Sequence, residues 1–169
     1  MPASPIRKLV PYAEAAKKKG MQVFHLNIGQ PDIETPPALL DAVRHADMKV
    51  LEYSQSAGNE SYRKKLVGYY AKHGINVSYE DIMITTGGSE AILFAFMACL
   101  DPGDEVIIPT PCFVSYQAEV ILAGGIPVEI PARMEDDFQV DPARIRDAIT
   151  PRTKVIFVGY PSNPTGAVA

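Results

Sequence analysis

The chain has 169 residues, 47% hydrophobic and 21% charged, with a formal net charge of −4; that suits one globular domain of ~100–150 residues and not a disordered segment. The acidic balance argues against a nucleic-acid reader, which needs a basic face to displace counterions from phosphates. No apolar run approaches the ~20 residues that span a bilayer.

Met1 to Gly20 carries no apolar core of signal-peptide type. Its Lys17-Lys18-Lys19-Gly20 run reads as the close of an amphipathic helix, with cations at the negative dipole end, in preference to a membrane-surface patch. Thr35-Pro36-Pro37 opens a short helix through Ala46, a capping residue followed by proline. A second helix runs from Asn59 to His73 and stops at Gly74, with Tyr62, Leu66, Tyr69 and Tyr70 at helical spacing as packing residues.

After residue 80 strands and helices alternate. Asp81–Thr85 reads as a short apolar strand and Ser89–Leu100 as a helix apolar on nearly every side, hence buried. The turn Asp101-Pro102-Gly103-Asp104 leads to a strand over Glu105–Pro109. A helix follows over Val114–Ala123, stopped by Gly124-Gly125, then a strand over Ile126–Ile130. Asp141-Pro142 opens a helix to Ile149, and Lys154–Val158 forms a further strand. This order predicts an α/β fold, three layers α/β/α with a mostly parallel sheet, preceded by a helical N-terminal segment.

Ligands of such sheets bind beyond the carboxyl ends of the strands, and three loops leave those ends. Thr85-Thr86-Gly87-Gly88-Ser89 offers close backbone approach, unpaired helix N–H groups and a hydroxyl, which suit a phosphate dianion. A tight turn with Ser89 as a plain helix cap explains that loop equally well. Pro109-Thr110-Pro111-Cys112-Phe113 places a ring where it can stack on a flat ligand, although a phenylalanine beside a sheet is more often core. Gly159-Tyr160-Pro161-Ser162-Asn163-Pro164-Thr165-Gly166 holds the Asn163 amide between rigid residues; alone it reads as an Asn-Pro turn. Together the three describe a site for a flat phosphorylated aromatic.

At this point the chain resembles the class I/II aminotransferases of the aspartate aminotransferase family, the fold-type I pyridoxal phosphate enzymes. The resemblance runs through LNIGQPDIETP, YSQSAG, ITTGGSEAI, DPGDEVIIPTPCFVSY and AITPRTKVIFVGYPSNPTG, and covers essentially the whole chain. It implies pyridoxal 5'-phosphate as cofactor, amino acid and 2-oxo acid substrates, and a homodimer. By resemblance Gly87, Gly88 and Ser89 hold the cofactor phosphate, and Phe113 stacks on its ring where the family often has tryptophan or tyrosine. Asn163 donates to the ring's phenolate oxygen, Gly29 lies near the substrate α-carboxylate, and Tyr53 reaches the phosphate of the neighbouring subunit. Residues 1–45 are expected to belong to a small domain or arm and 46–169 to the first part of the large cofactor-binding domain.

The family's imine-forming lysine, its aspartate on the ring nitrogen and its carboxylate-gripping arginine lie beyond the Asn-Pro-Thr-Gly motif. Lys17, Lys18, Lys19, Lys64, Lys65 and Lys72 read as solvated, and Lys154 starts a strand at its far end. No catalytic residue is therefore assigned in this chain, which is expected to be an N-terminal portion that does not transaminate alone. The resemblance also implies seven strands, with gaps between those present here and apolar edges left bare. The alternatives are a non-catalytic relic or binding module of the same fold and a pyridoxal phosphate lyase. A nucleotide-binding domain is disfavoured, because neither glycine fingerprint occurs.

Cys99 and Cys112 lack metal-ligand spacing and read as ordinary thiols of a reducing, cytoplasmic compartment. His25, His45 and His73 form no catalytic arrangement, and Glu135-Asp136-Asp137 reads as an exposed loop with no metal site. Neither a nucleic acid nor a membrane is expected as a partner.

Overall fold

The computed structural model describes residues 7–168, and the chain divides into two compact units, Met1–Tyr53 and Ser54–Ala169. In the first unit a 3-10 turn, Arg7–Leu9, leads into α1, Val10–Lys18. The lysine run closes α1 as expected: Lys19 caps it, and the Gly20 N–H, on a residue at φ 77°, donates to the Lys17 carbonyl at 2.9 Å. Helix α2 spans Pro37–Arg44 with Pro36 at its cap, and no side chain caps it. The expected Thr35 cap is thus not made; prolines at 36 and 37 carry no N–H for its hydroxyl to satisfy. None of the described residues of this unit is buried, and Leu26 and Leu51 are 95% and 86% exposed.

The second unit opens with α3, Glu60–Lys72, capped by Asn59, whose side chain accepts from the Tyr62 N–H at 3.3 Å. The buried residue of α3 is Arg63, not a tyrosine. Its guanidinium donates to the Gly58 and Tyr79 carbonyls and to Gln55 Oε1, at 3.2, 3.0 and 3.0 Å, so the loop before α3 is pinned to the turn after it. Tyr62 and Tyr69 stay half exposed, which corrects the packing role expected of them.

Residues 82–85 are extended but join no ladder; the Ile84 N–H donates to the Ala57 carbonyl instead, at 3.0 Å. The strand expected over Asp81–Thr85 is therefore absent, because its backbone has found a partner in a loop and not in the sheet. The sheet has three parallel strands: β1 (Glu105–Thr110), β2 (Ile126–Pro131) and β3 (Thr153–Ile156), in the order β2-β1-β3. β1, β2 and β3 are direct neighbours, and residues 82–85 pair with none of them.

Strand β1 is the centre of the core. Val106, Ile107 and Ile108 are at most 1% exposed. Val106 and Ile108 pack with Phe96 and Leu100, which end α4 (Gly88–Cys99), and with Val120 of α5 (Ser115–Leu122). The parallel connections pass through α5 and through α6 (Pro142–Asp147), whose cap, Asp141, accepts from the Ala143 N–H at 2.8 Å. At the amino end of β1 the buried Glu105 carboxylate accepts from Thr150 Oγ1 at 2.6 Å and from Arg152 Nη2 at 2.5 Å, which ties the approach to β3 against β1. The Thr150 hydroxyl first, and Arg152 second, hold the Glu105 carboxyl below the usual range.

The apolar all-round character of α4 predicts full burial, yet only Phe96 of that helix is buried; Phe94 and Met97 are 42% and 61% exposed. One face of α4 meets the sheet and α5, and within the second unit the other carries the exposed Phe94 and Met97. With so much apolar surface in both units, the isolated 169-residue chain should self-associate and bind a hydrophobic dye. Light scattering coupled to size exclusion checks this; a monodisperse, cooperatively unfolding monomer would contradict it.

Candidate active site

Beyond the carboxyl end of β1 the chain runs through Pro111, Cys112 and Phe113 into α5, and beyond β3 it runs through Phe157 to the turn around Asn163. These two exits face one concavity, whose lining includes Cys112, Tyr116, Phe138, Tyr160, Asn163 and Thr165. Tyr116 joins the walls. Its ring sits edge-on to Phe113, with centroids 5.6 Å apart, and to Phe157 at 4.7 Å.

The Asn163 turn is closed by its own backbone. Ser162 and Gly166 are held by Ser162 N–H to the Ala167 carbonyl and Gly166 N–H to the Ser162 carbonyl, both at 2.8 Å, with Gly166 at φ 73°. Within this turn Asn163 is exposed and lines the concavity.

The Gly87-Gly88-Ser89 loop is braced from outside. Thr85 Oγ1 donates to the Gly87 carbonyl at 2.9 Å, and Glu90 Oε2 accepts from the Thr86 N–H at 2.5 Å. Gly87 adopts φ 84°, ψ 178°, a region that residues with a Cβ avoid, and no side chain caps α4. A Cβ added at Gly87 or Gly88 would meet nothing within 4 Å, so the approach to the first N–H groups of the helix is open. Open N–H groups at the positive end of a helix dipole fit an anionic oxygen ligand. Ser89 is the second residue of α4 and is exposed.

Two groups beside the site are perturbed. Burial, and secondarily the Glu129 carboxylate, push the Cys112 thiol up, which keeps it protonated and unreactive, in line with a bystander role. Burial also pushes the Glu119 carboxyl up, against a smaller opposing effect of the Ser89 hydroxyl. Among the described residues no group of three His, Cys, Asp or Glu could hold a metal, and no helix is long and apolar enough to cross a membrane.

The fold thus brings Asn163 to the same concavity as Cys112 and Tyr116, whereas Phe113 only touches Tyr116 edge-on, and neither it nor Gly87, Gly88 and Ser89 lines that concavity. Gly29 and Tyr53 lie in the first unit; both are exposed, and the Tyr53 side chain is free of packing. Tyr116 and Glu119 escaped the reading of the sequence. A tyrosine three residues after Phe113 and a lone acid in the apolar run SYQAEVIL were the available signals.

The aminotransferase class I and II profile matches residues 21–169. The chain belongs to this family. It is 42% identical over 154 residues to a probable aspartate/prephenate aminotransferase of Thermus aquaticus, covering 90% of this chain and 40% of that protein. It is 40% identical over 166 residues to an aspartate aminotransferase of Pyrococcus horikoshii, covering 97% and 41%. A Thermus thermophilus aspartate aminotransferase single mutant superposes with a TM-score of 0.93 at 39% identity, over 99% of this chain and 44% of that one. The chain therefore spans about 40% of the length of the curated relatives it matches.

The two glycines of this aminotransferase loop should respond differently to alanine. Gly87→Ala forces a Cβ into the φ 84° conformation and should cost about 1–3 kcal/mol. Gly88→Ala sits at an ordinary first helical position in open space and should be neutral or stabilising by up to ~1 kcal/mol. Chemical denaturation of the protein that carries this chain separates them, and equal effects would remove the special conformational demand at Gly87.

Proposed function

We propose that the protein carrying this chain is a pyridoxal 5'-phosphate-dependent aminotransferase, moving an amino group from an L-amino acid to a 2-oxo acid. The observation that carries the reading is the uncapped, sterically open start of α4 immediately after Gly87, in a chain that belongs to the class I and II aminotransferases. Bound pyridoxal phosphate supplies the electron-withdrawing ring that such chemistry needs.

In this proposal the N–H groups and hydroxyl of Gly87, Gly88 and Ser89 bind the phosphate, and Phe113 packs on the ring. Asn163 donates an amide hydrogen to the ring's phenolate oxygen and stabilises its anion. Gly29 brings backbone to the substrate α-carboxylate, and Tyr53 gives its hydroxyl to the phosphate of the neighbouring subunit in a homodimer. Residues 1–45 then form part of a small domain or arm, and 46–169 the first part of the large domain. Relatives named for aspartate support L-aspartate as the donor to test first, and the two free cysteines suit a cytoplasmic enzyme.

The protein should convert L-aspartate and 2-oxoglutarate to oxaloacetate and L-glutamate in a coupled assay. Asn163→Ala should lower kcat/KM by about tenfold or more, the value of a hydrogen bond to a charged oxygen. It should also move the pH midpoint of the bound cofactor's absorption band upward, because the anionic ring has lost a donor. An unchanged midpoint in a variant that still binds cofactor would sink the Asn163 assignment.

A further inference from the structure

A phenyl ring that packs on a flat ligand must present one face and keep it at a fixed tilt. The χ2 torsion of a phenylalanine is broad, so the tilt is set by what the ring meets. A residue of this kind works only when packing locks it. Phe113 is half-buried in the connection between β1 and α5, outside the lining of the concavity.

The neighbour that locks it is Tyr116. Among the described aromatic rings, Tyr116 is the one that Phe113 meets, with centroids 5.6 Å apart and planes at 74°. The Tyr116 N–H also donates to the Phe113 carbonyl at 3.1 Å, so one residue holds both the backbone and the ring of Phe113. Tyr116 is itself fixed from several directions. It is the second residue of α5, whose Val120 is wholly buried. Its ring meets Phe157 at 4.7 Å, and Phe157 meets the 3%-exposed Phe96 at 5.4 Å. Its hydroxyl lies 3.7 Å from where a Cβ would stand at Gly159. A row of four rings, Phe96, Phe157, Tyr116 and Phe113, therefore runs from the core to the loop after β1.

The crossing angle decides what the last contact can do. Rings crossed near a right angle touch edge to face, so Tyr116 takes up at most one face of Phe113. The other face is left for a flat ligand, and swinging the ring would break the crossed contact.

We propose that Tyr116 is a positioning residue for the cofactor ring: through its crossed contact it holds Phe113 at the tilt in which Phe113 stacks on the pyridine ring of pyridoxal phosphate. The proposal rests on the reading of Phe113 as the stacking residue. The Tyr116 ring carries the role, and its hydroxyl does not.

The test is a double-mutant cycle on the affinity of the cofactor-stripped protein for pyridoxal phosphate, read by isothermal titration calorimetry. Phe113→Leu should weaken binding about tenfold and Tyr116→Leu about fivefold. Once Phe113 is gone, Tyr116→Leu should add less than about a twofold loss, because its effect passes through the missing ring. Tyr116→Phe keeps the crossed contact and should bind as the native protein does. The circular dichroism of the bound cofactor's absorption band, which reports ring tilt, should change in Tyr116→Leu and not in Tyr116→Phe. Losses that multiply in the double variant would overturn the proposal, as would a Tyr116→Phe variant as weak as Tyr116→Leu. Tyr116 also reaches the β3 exit through Phe157 and Gly159, so the cycle is repeated with Asn163→Ala. Coupling there, and none to Phe113→Leu, would give Tyr116 a different target and overturn the proposal too. If Tyr116→Leu does not fold, Tyr116→Met enters the same cycles. A Phe113→Leu variant with native affinity would instead bring down the stacking reading, and the role of Tyr116 with it.

Discussion

Everything described here hangs on the burial of β1. A strand whose Val106, Ile107 and Ile108 are withdrawn from water on both faces, and whose two edges are both paired, has no freedom to slide. Its carboxyl end is therefore a fixed point, from which Cys112, Phe113 and Tyr116 take their positions within a few residues. The β3 exit is set by the same strand, because the Phe157 N–H donates to the Ile107 carbonyl at 2.9 Å. The distance between the Asn163 turn and the Phe113 loop is thus a property of one ladder and not of two independent loops.

Against that rigid centre the apolar surface is distributed unevenly. α4 buries Phe96 and Leu100 at its end against β1 but shows Phe94 and Met97 outward, and the first unit buries none of its described residues. Exposed aliphatic groups on this scale are unfavourable at roughly 25 cal/mol per Å² left wet, so covering them would stabilise these segments. The site itself belongs to the well-packed part. Tyr116 reaches it from α5, the helix that carries the buried Val120.

The sequence was most legible where a local rule governs. Asp141 was readable as a cap, Gly20 and Gly74 as stops, and EVIIP and KVIFV as strands, because short-range donors, φ and apolar runs decide those features. It misled where the partner decides. DIMIT has strand composition, yet Ile84 bonds to Ala57 in a loop; SEAILFAFMACL has the composition of a buried helix, yet only one face meets the sheet. The site followed the same division. Gly87 is a local matter, since a positive φ before a helix needs glycine, and Asn163 sits in a turn that its neighbours define. Tyr116 and Glu119 matter through what they touch across the fold, and composition carries no trace of that.

The two buried glutamates show how environment, and not residue type, assigns a role. Glu105, at the amino end of β1, is surrounded by donors: Thr150 and Arg152 stabilise its charge and push its carboxyl group down. There the acid acts as a clamp, and its ionised form is the useful one. Glu119, on α5, has an Oε2 that is buried without a hydrogen-bond partner, and burial pushes its carboxyl group up. A clamp built that way would be a poor one, because burying a half-paired charge costs more than the contact returns. The neutral form avoids that penalty.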